Sequence, residues 1–308
     1  MKKSHVENTV GPWARKKLDS LERYLEAYHR VMQRQTFKLI YIDAFAGAGR
    51  SRVRSQNNDD PSLDLPIDDE QSAAEEEFIA GSPVRALETG RGFDYYFFFD
   101  ADERRTAQLE QLKREYPGRK IQIKTGDANE GVQKLAAHFH QRPYARGVAF
   151  LDPYGPHLHW RTVESLAATG KVDVIINFPL AMAINRLITR DGEIPENWVA
   201  ILDACFGTHE WHALVYETEG DLFGEETVRK SEAAAERLLG LYHERLRQAF
   251  GHSVTPSLIR NTKGNPLYYL LWASSNERGV PIAKHIMEMG DRVRLPGNRR
   301  RTGDSRGA

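Results

Sequence analysis

The chain has 308 residues, enough for one large or two ordinary domains, with 40% hydrophobic and 28% charged residues and a formal net charge of +0. With that balance, the field of the whole molecule implies neither a nucleic-acid nor a membrane partner, and the single cysteine, Cys205, excludes an intramolecular disulfide or an all-cysteine metal site within one chain. No apolar run reaches the ~18 residues that a bilayer span needs, and the N-terminus lacks the apolar stretch of a secretory signal, so a cytoplasmic protein is expected.

Charge is nevertheless uneven. From Ser55 to Pro83 there is no Lys or Arg, while Asp59, Asp60, Asp64, Asp68, Asp69, Glu70, Glu75, Glu76 and Glu77 crowd in. The stretch from Arg292 to Arg306 is basic. Residues 1–35 therefore read as a helical lead-in and 36–290 as the main domain. That domain carries an acidic insertion at 51–80 and a helical insertion at about 181–250, and 291–308 read as a disordered basic tail.

In chain order, Leu18, Leu21, Tyr24, Leu25, Tyr28, Val31 and Met32 recur at helical spacing between Pro12 and Gln33. A first strand follows over Lys38 to Asp43. It runs into a turn of small residues, Ala44, Ala46, Gly47, Ala48 and Gly49. A buried strand entering a Gly-rich turn is how an open parallel sheet builds a ligand site at the carboxyl end of its first strand. The acidic segment Ser51 to Ala80 is expected to lack structure. Ser82 then caps a helix with Pro83 at its first position.

Four more apolar strands are expected at Tyr95 to Phe99, Ile121 to Lys124, Gly147 to Leu151 and Val172 to Asn177. Each is followed by a turn, and helical patterns run from Asp102 and Glu103 to about Tyr116, from about Asn129 to His140 and from Trp160 to Ala168. This alternation implies right-handed βαβ units and a parallel sheet with helices on both faces. A helix from Ser231 to Phe250, paired strands at Ser257 to Asn261 and Pro266 to Ser274, and a helix from Pro281 to Met289 complete the chain. An antiparallel pair closing a parallel series is the plan of the S-adenosylmethionine methyltransferase sheet. The expected fold is Rossmann-like class I methyltransferase, a mostly parallel seven-stranded sheet with helices on both faces.

Four strand ends carry an acid, Asp43, Asp100, Asp127 and Asp152, and in a doubly wound sheet such ends converge on one crevice. An acid ending strand two can hold two ribose hydroxyls, since a carboxylate offers two acceptor oxygens. An acid after strand three can accept from an adenine amine. Each acid is also placed to cap the helix that follows it. The cofactor candidates are Asp43, Phe45, Gly47, Gly49, Asp100, Asp127 and Ala128. The turn Asp152-Pro153-Tyr154-Gly155 is the candidate reaction centre. There Asp152 and the Pro153 carbonyl hold an amine and Tyr154 stacks on a planar base. Asn177, in the neighbouring Asn-Phe-Pro turn, has a free amide for pocket lining. His157 and His159 lack the further ligands of a metal site, and no metal is expected.

Five motifs occur in order: FAGAG at Phe45 to Gly49, GSPVRALE at Gly81 to Glu88, GDANE at Gly126 to Glu130, FLDPYG at Phe150 to Gly155 and VDVIINFP at Val172 to Pro179. Together they resemble the three-Cys-motif partner protein family, TcmP. The resemblance implies a methyltransferase-like Rossmann fold and pairing with a radical-SAM-like protein bearing three cysteines. The DPYG turn is also similar to the D/N-P-P-Y turn of adenine amino-methyltransferases, with Tyr154 in place of the second proline. It is closer to the DPFG turn of tRNA guanine-N2 methyltransferases. Two readings follow. One is S-adenosylmethionine-dependent methylation of an amine, with a nucleobase in RNA or DNA as the candidate substrate. The other is a non-catalytic nucleotide-binding or scaffold protein serving the three-Cys-motif partner.

Overall fold

In a computed structural model of the chain, the structure describes residues 9–10, 13–53, 78–220, 226–293 and 295. A helix α1 (Trp13–Met32) leads into β1 (Lys38–Asp43), as the periodicity predicts. Then come α2 (Ser82–Glu88), β2 (Tyr95–Asp100), α3 (Glu103–Glu115), β3 (Ile121–Thr125), α4 (Ala128–His140), β4 (Ala145–Leu151), α5 (Trp160–Ala168) and β5 (Val172–Phe178). The chain goes on through α6 (Glu196–Phe206), α7 (Glu210–Val215), α8 (Ala234–Phe250), β6 (Ser257–Arg260), β7 (Pro266–Ser274) and α9 (Val280–Met287).

The strands lie in the order β3-β2-β1-β4-β5-β7-β6, parallel from β3 to β5, with β7 antiparallel to both β5 and β6. This is the Rossmann-like, doubly wound class I methyltransferase arrangement. The sheet exceeds the seven expected strands. Asp291–Arg292 pairs with β6 at the edge, and His252–Ser253 pairs with β7 off the main path. Two-residue pairings of this kind carry no hydrophobic period for a sequence to show.

Alternation along each strand builds the two layers. Leu39 and Tyr41 of β1 face α1, α2, α3 and α9, where they meet Leu21, Tyr24, Leu25, Val84, Leu109 and Ile286. Ile40 and Ile42 face the opposite core, with Val132 and Phe139 of α4, Val163 and Leu166 of α5, and Leu238, Tyr242 and Leu246 of α8. The chain steps outward from β1 to β2 and β3, then returns through α4 to β4 on the other side of β1, so the strand order reverses between β1 and β4. Their carboxyl ends therefore leave a crevice.

Three expectations are corrected. The ends of the acidic insertion are structured: Arg50–Val53 and Phe78–Ala80 pair antiparallel, and Arg50–Val53 also takes Thr9–Val10 as a parallel neighbour. The acidic residues themselves, 54–77, lie outside the described residues, as does most of the basic tail. The insertion at about 181–250 is not wholly helical, since Tyr216–Gly220 and Glu226–Lys230 form an antiparallel ribbon. Gly81, not Ser82, caps α2, and Ser82 is the first helical residue. Its hydroxyl acts on Asp43 instead, where it favours the ionised carboxylate. Among the described residues no helix is long and apolar enough to cross a membrane.

Candidate functional site

At the carboxyl edge of the sheet the turns after β1, β2 and β4 lie side by side, with the end of β5 next to them. After β1 the backbone wraps back on β2: Phe45 and Ala46 both donate their N–H to Phe99 O, at 3.1 and 2.8 Å. Gly47 (φ 63°) and Gly49 (φ 81°) adopt dihedrals open to glycine, and Phe45 holds φ 123° without that freedom. A non-glycine residue held there is strained, and such strain persists where surrounding structure over-determines it, often at a ligand clamp. The reward of the turn is one hydrogen bond: Gly47 N–H donates to Asp100 Oδ2 at 2.9 Å. Asp100 Oδ1 accepts from Asp102 N at 2.9 Å. The acid that ends β2 thus ties the glycine turn to the start of α3, and Arg105 lies 3.8 Å from its Oδ2.

Asp43 ends β1 with no solvent exposure. Its Oδ2 accepts from the Tyr41 hydroxyl at 3.1 Å, and its Oδ1 has no partner. Burial raises its pKa to about 7. The Ser82 and Tyr41 hydroxyls oppose that rise, while Asp152 and Asp100 add to it. The mutual influence places the acids of β1, β2 and β4 in one field, as the strand-end pattern predicts.

The turn after β4 is held from two directions. Asp152 Oδ1 accepts from Asn177 Nδ2 at 2.7 Å, across the neighbouring strand β5. Asp152 Oδ2 receives the Lys17 ammonium at 2.6 Å, from the amino-terminal half of α1. Lys17 Nζ also stands 5.4 Å above the ring of Tyr268 on β7. Burial and then Asp152 hold the Tyr268 phenol protonated, with a pKa well above the usual value. Asn177 is 4% exposed and its Oδ1 has no partner. Pro153 is buried beside the pair, whereas Tyr154 is 68% exposed, with its ring 4.5 Å from that of His157.

Asp127 is placed differently. Its Oδ1 caps α4 by accepting from Asn129 N at 2.7 Å, so it performs the capping role that sequence reading kept as its alternative. Its side chain is exposed beside buried Ala128. Asn129, 5% exposed, is the buried member of this motif. Its Nδ2 donates to His157 O at 2.8 Å, and its Oδ1 accepts from His159 N and the Thr162 hydroxyl, both at 2.9 Å. It staples the loop after the DPYG turn to α4.

Of the residues singled out in the sequence, Asp43, Phe45, Gly47, Gly49, Asp100, Asp152 and Asn177 lie along one carboxyl edge of the sheet, whereas Asp127 caps α4 and Tyr154 is exposed. Sequence reading missed Lys17, Tyr41, Ser82, Asn129 and Tyr268. Asn129 had a signal in the GDANE motif. Lys17 had none, because a lysine on an amphipathic helix looks like solvated surface.

No protein-family model and no curated protein matches the chain. Among solved structures it is similar to protein LPL1258 from Legionella pneumophila, at 15% identity over 92% of each chain with a TM-score of 0.49. It is also similar to spermidine synthase from Thermotoga maritima, at 12% identity over 88% of this chain and 62% of that one (TM-score 0.41). The putative methyltransferase yhhF from Escherichia coli matches at 10% identity over 82% of this chain and 86% of that one (TM-score 0.32). These likenesses are of overall shape alone.

Proposed function

We propose that the protein transfers a methyl group from S-adenosylmethionine to an amine, on a nucleobase. The observation that carries this reading is the pair of buried acceptors without partners, Asp43 Oδ1 at the carboxyl end of β1 and Asn177 Oδ1 at that of β5. An unpartnered buried acceptor costs roughly 1–3 kcal/mol, so each marks a place where a donor belongs. Asp43 meets the cofactor's ammonium, Asp100 its ribose hydroxyls, and the Gly47–Gly49 turn lets backbone approach it. Asn177 Oδ1 and the Pro153 carbonyl accept from the substrate amine, and exposed Tyr154 stacks on its ring. The sulfonium is a good leaving group, so the protein's contribution is alignment of donor and acceptor.

Asp152 is engaged by both Lys17 and Asn177. Its part is thus to orient the Asn177 amide, and it reaches an amine itself only when Lys17 swings away. That engagement also favours the second reading, a nucleotide-binding scaffold that performs no transfer. The three-Cys-motif protein as partner is supported by the motif resemblance, and co-expression with such a protein followed by co-purification tests it.

Calorimetric titration with S-adenosylmethionine is the decisive experiment. Binding is expected, and Asp100→Ala abolishes it. Absence of heat with the unaltered chain would remove the enzyme reading, and binding that survives the substitution would remove the ribose assignment. Methyl transfer to total RNA from labelled cofactor, lost in Asn177→Ala while cofactor binding persists, separates enzyme from scaffold.

A further inference from the structure

A second surface lies outside this crevice, on the face of the sheet that α4 leaves uncovered. It is a groove of about 650 Å3 between α4 and the β2–β3 edge. Its floor is a row of rings, because Tyr95, Phe97 and Phe99 occupy alternate positions of β2 and share one face. The register sets Phe97 opposite Gln122 and Phe99 opposite Lys124, so an amide and an ammonium of β3 stand beside the rings. Phe99 is buried under α4, where Gly131 allows the approach; a Cβ at that position would collide with the Phe99 ring. Toward the amino ends of the strands the helix no longer covers the sheet, and Tyr95 and Phe97 are only half-buried.

The rim is cationic. Lys124 and Arg142 are exposed and make no ion pair among the described residues. Lys120 Nζ stands 5.1 Å over the Tyr95 ring, and Lys134 adds a fourth cation. Two carboxylates oppose them, Glu130, which pairs with Lys134 at 2.9 Å, and Asp127. Two half-buried rings on a strand, Phe97 with an open face and Tyr95 beneath Lys120, flanked by cations and a side-chain amide, supply the parts that sequence-tolerant binding of single-stranded nucleic acid uses: rings take the bases and cations take the phosphates. A second copy of the chain on this face would set cation against cation. A duplex would hide the base faces that the rings would take.

We propose that the α4–β2–β3 groove is a binding surface for single-stranded nucleic acid. At its upper end it reaches Gly126 and Asp127, so a strand lying in it runs toward the carboxyl rim of the sheet. The surface needs no cofactor and no transfer reaction, and its test includes neither.

Fluorescence anisotropy of a 15-nucleotide labelled RNA and the matching DNA, titrated with the full chain at 50 to 200 mM salt, measures it. Binding is expected for single strands and weaker for the duplex, with affinity falling as salt rises. Phe97→Leu and Tyr95→Leu keep apolar volume but lose the ring face, and each should weaken binding roughly tenfold. Lys124→Gln with Arg142→Gln, both surface changes that spare the core, should lower the slope of log affinity against log salt by roughly one to two. Lys284→Gln, on α9, should change nothing. Absence of single-strand binding would overturn the proposal. So would binding that the ring and rim variants leave intact, or equal loss in the Lys284 control. Sedimentation showing a dimer that Phe97→Leu dissolves would assign the face to self-association instead.

Discussion

Two buried aspartates in the same sheet meet opposite fates. Asp173, near the amino end of β5, is wholly satisfied: Tyr24 donates to its Oδ2 at 2.6 Å and the Ser274 hydroxyl donates to its Oδ1. It joins α1 to β5 and β7 beneath the core, with Tyr24 tilted against Trp272 at 6.2 Å. Asp43, at the carboxyl end of β1, is buried as deeply, yet one of its oxygens has no partner. Burial pushes both carboxyls up, and hydroxyl donors oppose it at each. Only Asp43 has other carboxylates, Asp152 and Asp100, pressing on it as well. A buried acid whose oxygens are all used is part of the framework, whereas one left incomplete at a sheet's open end calls for an explanation, and the proposed function supplies one, a ligand.

The largest expected effect tests the framework half. Asp173→Ala strands the Tyr24 and Ser274 hydroxyls in the core and should cost about 4 kcal/mol of stability, measured by urea denaturation. S-adenosylmethionine binding by the folded fraction should be unchanged, and its loss would erase the distinction between the two acids.

The next effect sharpens the other half. Burial raises the Asp43 carboxyl to about 7 in the folded chain, from the 3.8 usual for an aspartate. The folded state therefore holds a proton that the unfolded state has already released, so this contribution is complete below about pH 4. It declines as pH rises to 7 and is constant beyond. Relative to Asp43→Asn, the unaltered protein should lose roughly 4 kcal/mol between pH 4 and pH 8, read from paired denaturation curves. Parallel curves would show that Asp43 does not titrate in this range.

Cofactor binding extends the same logic. A cationic ligand at Asp43 favours the ionised carboxylate, so its binding below pH 7 must expel a proton. Affinity for S-adenosylmethionine should rise up to about tenfold per pH unit below pH 7 and level off above it, and Asp43→Asn should flatten the profile. Calorimetry in buffers of different ionisation heat would count the proton directly.

The smallest stability effect is expected at Lys17. The ion pair with Asp152 is mostly buried, with side chains 13% and 20% exposed, and Lys17→Met, which leaves Asp152 Oδ2 without this partner, should cost about 1–2 kcal/mol. On the proposed function, methyl transfer should nevertheless change, because Asp152 loses one of its two anchors. Equal activity would reduce Lys17 to packing.

The order of elements was legible in the residues because each strand is a short apolar run ended by Gly, Pro or Asp, and each helix carries a 3.6-residue stripe. Trp160–Ala168 and Pro266–Ser274 fall where those patterns place them. The acids at the strand ends were legible for the same reason: a parallel sheet brings all its carboxyl ends to one rim, so knowing the topology places Asp43, Asp100 and Asp152 together. What the linear pattern could not decide is which oxygen is spent on what. Asp127 became a helix cap and Asp100 a tie to the glycine turn through choices of rotamer and backbone distance, and both roles look identical in one dimension. Lys17 meets Asp152 across 135 residues, and Asn129 meets His157 across 28. Such pairings carry no periodicity, because they arise only when helices dock on a twisted sheet. The groove was hidden likewise: Tyr95, Phe97 and Phe99 read as an ordinary buried strand, and only the tilt of α4 over Gly131 decides which rings the core keeps and which it leaves open.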